Sequence, residues 1–456
     1  MGHGVLCGRT KIYTDVSEVT SANVLSVLNA ALPVHQKNRN EIQILYDYYR
    51  GKTDIFCKIK ETRSSINNKI NENRANEIVN FKLGYLFGEP VTYIRRGDDV
   101  KVTEDINQLN EFMFAEDKAS KDKEIGEWML ICGVGRRMLL PNRDGDVAEN
   151  PFEVYTLDPR NSFVVYNNDL EERSVMGVRY VEKSDGRTVY SVYTPKRFFN
   201  ITSGARLGGL VVSEEKENPI GDVPVVEYLA NNAQLGAFEI VLTILDAINN
   251  VQSMRLDDVE QFVNAIMVFL GCEVGENVLE ALKGNNAISI PPNCDMKLLT
   301  AALQQADTQV FADALYEDLL TICGMPNRNG STSTSDTGAA VIYRDGWSAA
   351  ETQAKSMELM FKKSEKQFLK QVLKICKTFG RVDLKLSDIE IKFSRRNTEN
   401  LLTKTQALIQ LLEAGVSPEI AVSTCGLWSD PLDVYSQSGP YLKRWEYPGE
   451  SSVGDG

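Results

Sequence analysis

Apolar residues recur at helical spacing along most of this chain, and at alternating spacing in one middle stretch. The first block, Ala22–Ala31, predicts a short helix with polar flanks. Ile42–Tyr49 is dense in apolar and aromatic residues and ends at Arg50-Gly51-Lys52, where Gly51 suits a C-cap. Asn73–Phe87 repeats Ile78, Phe81 and Tyr85, and Val79, Leu83 and Leu86 widen the face. Gly88-Glu89-Pro90 stops it. Val91–Ile94 alternates like a strand, and Ile106–Phe114 and Lys123–Val134 predict further helices.

From Arg136 to Glu227 the period changes. Phe152–Leu157, Ser162–Tyr166, Val175–Glu182, Thr188–Thr194 and Val223–Tyr228 are short β-type runs separated by Asp-Pro, Asn-Asn and Asp-Gly turns. They predict a meander of mostly antiparallel strands in an α+β domain, with polar loops such as Ser213–Asn218 facing solvent. Helical spacing returns at Phe238–Phe262, through Val241, Leu245, Ile248, Val251 and Leu256, with Asp257, Asp258 and Glu260 on its second half. Ala265–Gly271 opens a small strand-and-turn module that runs through Ile288–Ile290 to Pro291-Pro292. The next helix is Asp307–Cys323, with Phe311, Leu315, Leu319 and Ile322 as its stripe and Asp313, Glu317 and Asp318 opposite. Gly324-Met325-Pro326 ends it.

Asn327–Gly338 holds nothing that packs and predicts a mobile loop. A helix of about 40 residues and roughly 60 Å then runs through Lys377. Its packed face is Ala354, Met357, Phe361, Phe368, Val372 and Ile375. Arg381–Phe393 predicts one or two strands, and Leu401–Ala414 a helix capped by Gly415. Ser417-Pro418-Glu419 starts another helix, and the chain from Leu427 predicts a loosely ordered end. A single chain has little use for so long a strut, whereas a ring of identical subunits packs each strut against neighbours.

Composition removes several classes of function. The 456 residues suffice for two to four domains. Lys plus Arg number 50 and Asp plus Glu 63, a formal charge of −13. That balance argues against a protein that wraps nucleic acid over its whole surface, but not against one that lets DNA slide past. His3 and His35 are the only histidines, so a HExxH zinc site is impossible and a histidine triad would rest on one of them. The eight cysteines, Cys7, Cys57, Cys132, Cys272, Cys294, Cys323, Cys376 and Cys425, form no CxxC pair and predict free thiols in a reducing compartment. Gly51-Lys52 is the only trace of a phosphate-binding loop, and Tyr46 stands where its first glycine belongs. That argues against an ATPase. No compact Asp/Glu/Lys cluster marks a metal nuclease. Met1–Thr10 has no apolar run, Leu6 breaks a myristoylation pattern, and Val263–Leu270 falls far short of the roughly 20 residues that cross a bilayer. The expectation is a soluble protein with no membrane partner, no cofactor and no metal.

Six segments carry a resemblance. Tyr48-Tyr49-Arg50-Gly51-Lys52, Asn67-Asn68-Lys69-Ile70 and Phe81-Lys82-Leu83-Gly84-Tyr85-Leu86-Phe87-Gly88-Glu89-Pro90-Val91-Thr92-Tyr93 resemble the opening of portal proteins of tailed bacteriophages, the family best known from a Bacillus siphophage. Leu319–Asn327 looks like that family's stem-helix end, Thr337–Ala340 with Tyr343-Arg344 like the start of its long helix, and Phe393–Asn397 like its return strand. The similarity covers about Ile42 to Asp430, in order. It implies a non-enzymatic ring of about twelve copies at one capsid vertex, around a channel for double-stranded DNA.

The resemblance divides the chain into an N-terminal arm (1–41), a wing (42–240), stem helices (241–264 and 306–324) around a clip (265–305), and a tunnel loop (325–337). A long wing helix (338–379), wing return strands (380–400), a crown (401–430) and a flexible C-terminal end (431–456) follow. Its implied partners are other copies of itself, DNA, terminase, scaffolding, major capsid and head-completion adaptor proteins. Its implied location is the virion, with assembly in the host cytoplasm. A ring-forming capsid or connector adaptor that threads no DNA is the alternative, and a DNA-processing enzyme is a more distant one.

Acidic stem residues Asp257, Asp258, Glu260, Asp313, Glu317 and Asp318 would keep DNA central by repulsion, or are simply solvated helix faces. The polar loop residues Asn327, Arg328, Asn329, Ser331, Thr332, Ser333, Thr334 and Ser335 would face DNA, or form a surface connection. Arg136, Arg137, Arg395 and Arg396 are basic pairs for intersubunit bridges, for DNA or for solvent. Lys362 and Lys366 lead a lysine excess on the long helix that suits acidic faces of neighbouring subunits. Tyr48, Tyr49, Tyr85 and Phe87 suit a core better than a base-stacking platform.

Overall fold

The computed structural model describes residues 6, 8–61, 64–96, 100–142, 150–203, 209–263, 266–270, 295–299, 305–327, 346–394, 401–428 and 431–438. In chain order the elements begin with β1 (Ile12–Thr14), α1 (Val24–Tyr49), α2 (Arg74–Phe87), β2 (Thr92–Arg95), α3 (Val100–Ala115) and α4 (Lys118–Cys132). The strands β3 (Val134–Pro141), β4 (Phe152–Leu157), β5 (Ser162–Asn167), β6 (Ser174–Glu182), β7 (Thr188–Tyr193), β8 (Arg197–Ser203), β9 (Leu210–Glu217) and β10 (Val225–Leu229) follow. Then come α5 (Leu242–Val263), β11 (Ile266–Leu270), β12 (Asp295–Leu299), α6 (Gln305–Ile322) and α7 (Trp347–Thr378). The last are β13 (Ile389–Lys392), α8 (Leu401–Glu413), α9 (Pro418–Cys425) and α10 (Pro431–Ser438). The chain is thus mixed α and β. It divides into a unit of residues 1–6, 44–79 and 237–353 and a unit of residues 7–43, 80–236 and 354–456.

The second unit is built on sheets. Among the described residues one sheet runs β1-β5-β6-β7-β8-β9 and a second runs β10-β3-β4. Every pairing in them is antiparallel except β1 with β5, where Ile12 faces Val165. The expected meander is present, and the structure adds β1, β3, β8 and β9. Ser213–Glu217, expected in a solvent loop, belongs to the edge strand β9. Its Ser-Glu-Glu-Lys-Glu run resembles a loop by composition, yet such charges are what keep a sheet edge from pairing with another chain.

The helix α1 joins two segments that periodicity alone separated. It continues through Pro33, whose missing N–H removes one helical hydrogen bond. Val24, Val27, Leu28 and Ala31 press its first half onto Phe163, Met176, Val178, Val192, Phe199 and Ile201 of the large sheet. His35 continues that stripe one turn later. Its ring stacks on Phe163 at 4.5 Å and its Nε2 lies 3.0 Å from the Tyr180 hydroxyl, which donates to the Arg160 carbonyl at 2.8 Å. Burial, followed by repulsion from Arg136, lowers its pKa from 6.5 to about 3.

The helix α7 buries the expected face, with Ala354, Phe361, Phe368, Val372 and Ile375 inside. One member of that face is a carboxylate. Glu365 is fully buried rather than balancing the surface lysines. It accepts hydrogen bonds from the Tyr228 hydroxyl at 2.5 Å, from Arg137 at 3.1 Å and from the Tyr93 hydroxyl, and it pairs with Lys118 at 2.9 Å. Asp122 takes the other sides of Lys118 and Arg137. The Arg137 guanidinium also lies 4.8 Å from the Phe368 ring centre and 5.0 Å from that of Tyr228. Burial would raise the pKa of Glu365, but Lys118, Arg137 and the two tyrosines outweigh it and hold the group at about 2.

Tyr93 reaches Glu365 from β2, which pairs antiparallel with β13 through Tyr93 opposite Ile391. This pair bears out the strand expected within Arg381–Phe393. The C-terminal part differs from expectation, because Pro431–Ser438 is a helix rather than a loosely ordered end.

Two predictions follow from the buried ionisable groups. His35 is neutral in the fold and titrates near 6.5 when unfolded, so its stabilisation is complete above pH 6.5 and is lost as pH falls toward 3. Between pH 6 and 4.5 the unfolding free energy should lose about 1.4 kcal/mol per pH unit to this one group, and His35→Phe should remove that slope in urea titrations. Glu365 titrates at 4.5 unfolded, so its contribution is complete above pH 4.5 and fades toward pH 2. Glu365→Ala leaves the two buried cations Arg137 and Lys118 to share the single carboxylate of Asp122 and should cost about 3–5 kcal/mol at pH 7. A stability within 1 kcal/mol of wild type would contradict the buried network.

Candidate functional site

The first unit centres on α5 and α6. The helix α5 follows a short 3₁₀ turn at Glu239–Val241 and carries polar residues on one face: Asp246, Asn249, Ser253, Asp257 and Glu260. The spacings of 3, 4, 4 and 3 place them in one row along the helix. The row faces the irregular segment between α1 and α2. Asn249 Oδ1 accepts the Glu72 N–H at 2.9 Å, Ser253 Oγ the Ile70 N–H at 2.9 Å and Asp257 Oδ1 the Asn68 N–H at 2.7 Å.

The match is geometric. Four residues of helix rise about 6.0 Å, and two residues of extended chain advance about 6.6 Å. Acceptors one turn apart therefore meet alternate N–H groups. Side chains complete the lattice. Tyr48 donates to Asp246 at 2.9 Å, Asn68 Nδ2 to Glu260 at 2.8 Å, and Lys58 and Lys60 reach Asp257, each at 3.2 Å. Burial opposes ionisation of Asp257, but Asn68 and the two lysines win and lower its pKa. Burial, with Asp246 next, pushes the Tyr48 hydroxyl far up.

The same segment caps α1. Gly51, at φ +84°, donates to the Tyr48 carbonyl at 2.9 Å, and Lys52 donates to Asp47 at 2.8 Å. This paired capping pattern requires a left-handed residue, so Gly51 serves as the expected C-cap. Asn71 and Asn73 donate to the remaining carbonyls of Gly51 at 2.6 Å and Tyr49 at 3.1 Å. Gly324 ends α6 in the same way, at φ +60°. The Tyr316 hydroxyl donates to Glu77 at 2.9 Å, under the Arg74 guanidinium at 4.3 Å from its ring centre, and ties α6 to the start of α2.

These contacts sort the expected site residues. Asp258, Glu260, Asp313, Glu317 and Asp318 are exposed, and Asn327 is half-buried. Asp257 does not fit the expected channel-facing role, because its side chain is only 2% exposed and is spent on Lys58, Lys60 and Asn68. Arg136 and Arg137, in the other unit, do not fit an intersubunit role. Arg136 is buried against Glu227 at 2.8 Å and the Ser162 carbonyl at 2.7 Å, and Arg137 against Asp122 and Glu365. Arg328, Asn329, Ser331, Thr332, Ser333, Thr334, Ser335, Arg395 and Arg396 lie outside the described residues, as does most of the strand-and-turn module. Its two flanks, β11 and β12, pair antiparallel from Ile266 opposite Leu299. On α7, Lys362 lies 3.8 Å from Glu358, and Lys366 is exposed.

The apolar face of α6 is rotated from the expected one. Ala312, Leu319, Leu320 and Cys323 are buried, whereas Phe311 and Ile322 are exposed, as are Val310 on α6 and Met254, Leu256 and Val259 on α5. The residues that sequence reasoning missed are Asn249, Ser253, Lys58 and Lys60. The spacing of the first two with Asp257 was the available signal.

Removing Asp257 tests the lattice. Asp257→Ala should cost about 2–3 kcal/mol, since the two lysines reach solvent once released, while Asp258→Ala should stay within about 0.5 kcal/mol. Hydrogen exchange should show the Asn68, Ile70 and Glu72 amides losing protection only in the first variant.

Residues 30–435 match the family model described as phage portal protein, SPP1 Gp6-like. None of the curated proteins matches the chain. A solved structure titled "Neck of empty GTA particle computed with C6 symmetry" is similar at 11% identity, over 78% of this chain and 90% of that one, with a TM-score of 0.45.

Proposed function

Because the chain belongs to the SPP1 Gp6-like phage portal family, a structural and non-enzymatic family of the virion capsid, we propose that about twelve copies close a ring whose channel passes double-stranded DNA. The chain is a portal protein, acting as the connector at a capsid vertex. In the proposed arrangement α5 and α6 form the stem, residues 265–305 the clip, residues 325–337 the tunnel loop and residues 401–430 the crown. The wing combines residues 42–240 with the long helix and the return strands. Terminase, scaffolding, major capsid and adaptor proteins dock on the ring, which assembles in the host cytoplasm.

The observation that supports the ring is the outer surface of the helix pair. Val310, Phe311 and Ile322 on α6, and Met254, Leu256 and Val259 on α5, stay exposed after each helix has buried its own core face. Large side chains of this kind on neighbouring turns call for a cover, and in a homo-oligomer the cover is the next copy. Beside them stand the exposed carboxylates Asp258, Glu260, Asp313 and Glu317. Carboxylates facing a lumen repel phosphate, which lets a duplex move without being gripped. Asn327 and the polar residues Arg328, Asn329, Ser331, Thr332, Ser333, Thr334 and Ser335 complete the channel side.

Electron microscopy of the purified protein tests this. A ring of about twelve copies with an opening that admits a duplex is the expected result. Val310→Glu with Phe311→Glu should leave the circular dichroism of the protomer unchanged and turn rings into monomers. A wild-type monomer at high concentration would overturn the reading, and an opening too narrow for DNA would leave a ring-forming adaptor.

A further inference from the structure

From Phe361 onward the helix α7 buries most of its circumference and leaves one stripe to solvent, whereas its earlier turns also expose Thr352, Ser356 and Leu359. Lysines dominate the later stripe, with Gln367 among them. Lys363, Lys366, Lys370, Lys374 and Lys377 are all exposed, at spacings of 3, 4, 4 and 3. They form one ridge about 21 Å long. No carboxylate lies on the ridge: Glu351 and Glu358 are half-buried beside it and Glu365 is in the core.

In a chain with 63 acidic and 50 basic residues this is strong segregation of charge. It also opposes helix formation, since like charges three and four residues apart destabilise a helix by about 0.2–0.5 kcal/mol per pair. Only Lys374 and Lys377 lie near enough to the helix C-terminus for its dipole to offset that. Internal partners do not neutralise the ridge. Lys377 pairs with Asp383 at 3.0 Å, Lys374 donates to the Gly221 carbonyl at 3.4 Å, and Lys363 acts on Glu172 only through its field. Among the described residues no hydrogen bond or ion pair within the chain holds Lys366 or Lys370.

We propose that Lys363, Lys366, Lys370 and Lys374 form an electrostatic track for the phosphate backbone of duplex DNA. The inference rests on the portal reading above and adds a site to it. The shape of the charge favours nucleic acid over a protein surface. Lysines one turn apart make a linear array, which suits a linear polyanion. No described helix carries exposed carboxylates in a run of that length to meet it. The ridge also lacks the Arg, Tyr, Trp and Met that anchor protein interfaces, where Lys is depleted. A flexible ammonium is a point charge that attracts phosphate without fixing a register, so such a track holds DNA loosely and lets it slide.

The test uses the assembled full-length protein, a fluorescein-labelled 30-base-pair duplex and anisotropy at several salt concentrations. Wild type should bind with log affinity falling linearly in log salt. The triple variant Lys363→Gln, Lys366→Gln, Lys370→Gln should bind at least tenfold more weakly at low salt. Its slope should be shallower by about 0.9 for each lysine that meets a phosphate. Lys123→Gln with Lys183→Gln, both exposed elsewhere, should leave the slope unchanged.

An unchanged slope in the triple variant would overturn the proposal. So would a variant whose rings fall apart while intact rings bind the duplex as before, because the ridge would then meet an acidic protein surface. Micrographs of wild type separate the two readings. Absent rings would sink the portal assembly itself, whereas rings whose duplex affinity ignores the substitutions would sink only the track.

Discussion

A carboxylate stays ionised inside a protein only if enough donors converge on it to replace water. Both units of this chain contain one such group on a long helix. Glu365 of α7 gathers Lys118 from α4, Arg137 from β3, Tyr93 from β2 and Tyr228 from β10. Asp257 of α5 gathers Lys58, Lys60 and Asn68 from the segment between α1 and α2. An apolar helix face tolerates sliding, because one leucine replaces another at modest cost. A buried charge does not. Moving α7 by one turn, about 5.4 Å, would leave Glu365 without donors, and Arg137 and Lys118 with Asp122 as their one remaining carboxylate. The charges therefore set the register at which each helix docks, and apolar burial supplies most of the attraction.

The same logic explains motifs that carry family resemblance but no chemistry. Tyr48-Tyr49-Arg50-Gly51-Lys52 is where α1 ends, and its Tyr48 hydroxyl, Gly51 carbonyl and Tyr49 carbonyl have structural partners in Asp246, Asn71 and Asn73. Asn67-Asn68-Lys69-Ile70 is the strip read by Ser253 and Asp257 along α5. An irregular segment cannot satisfy its own N–H groups, so the helix beside it supplies acceptors at one-turn intervals. These residues serve the rigidity of one helix. A channel wall made from repeated copies of that helix would need this rigidity, since any looseness would recur in every subunit.

Periodicity made most of the elements legible. The α7 face, the ends at Gly51 and Gly324, and the strands β2, β4, β5, β6, β7, β10 and β13 stood out, because burial on one side leaves a regular trace. What stayed hidden was hidden for identifiable reasons. Glu365 occupies a core position at the right spacing from Phe361 and Phe368, but a charge among lysines looks like a surface partner until its four donors are brought together. Asp257 resembles its exposed neighbour Asp258, and only the helical phase set by Asn249 and Ser253 tells them apart. Pro33 split α1 into two apparent segments. The strand β9 looked like a loop because an edge strand is selected to be charged. The basic pair Arg136-Arg137 was ambiguous in sequence, since alternation along β3 buries both residues once a sheet and a helix cover its two faces.

The distribution of charge is the last link between fold and function. A ring built from copies carrying −13 each would repel a duplex at every approach. Repulsion from all sides centres a polyanion, but it also raises the free energy of bringing it in. Segregating the positive charge relieves that conflict. The acids of α5 and α6 stand exposed on one unit, and the lysines of α7 line a single ridge on the other. Had the same lysines been interleaved with glutamates at one-turn spacing, the helix would be more stable and the surface locally neutral. The sequence instead accepts a less favourable helix to keep the ridge cationic. In the proposed track, loose lysine contacts would be screened within about 10 Å at ordinary salt, so they would lower the entry barrier only for DNA already at the surface and would not trap it elsewhere.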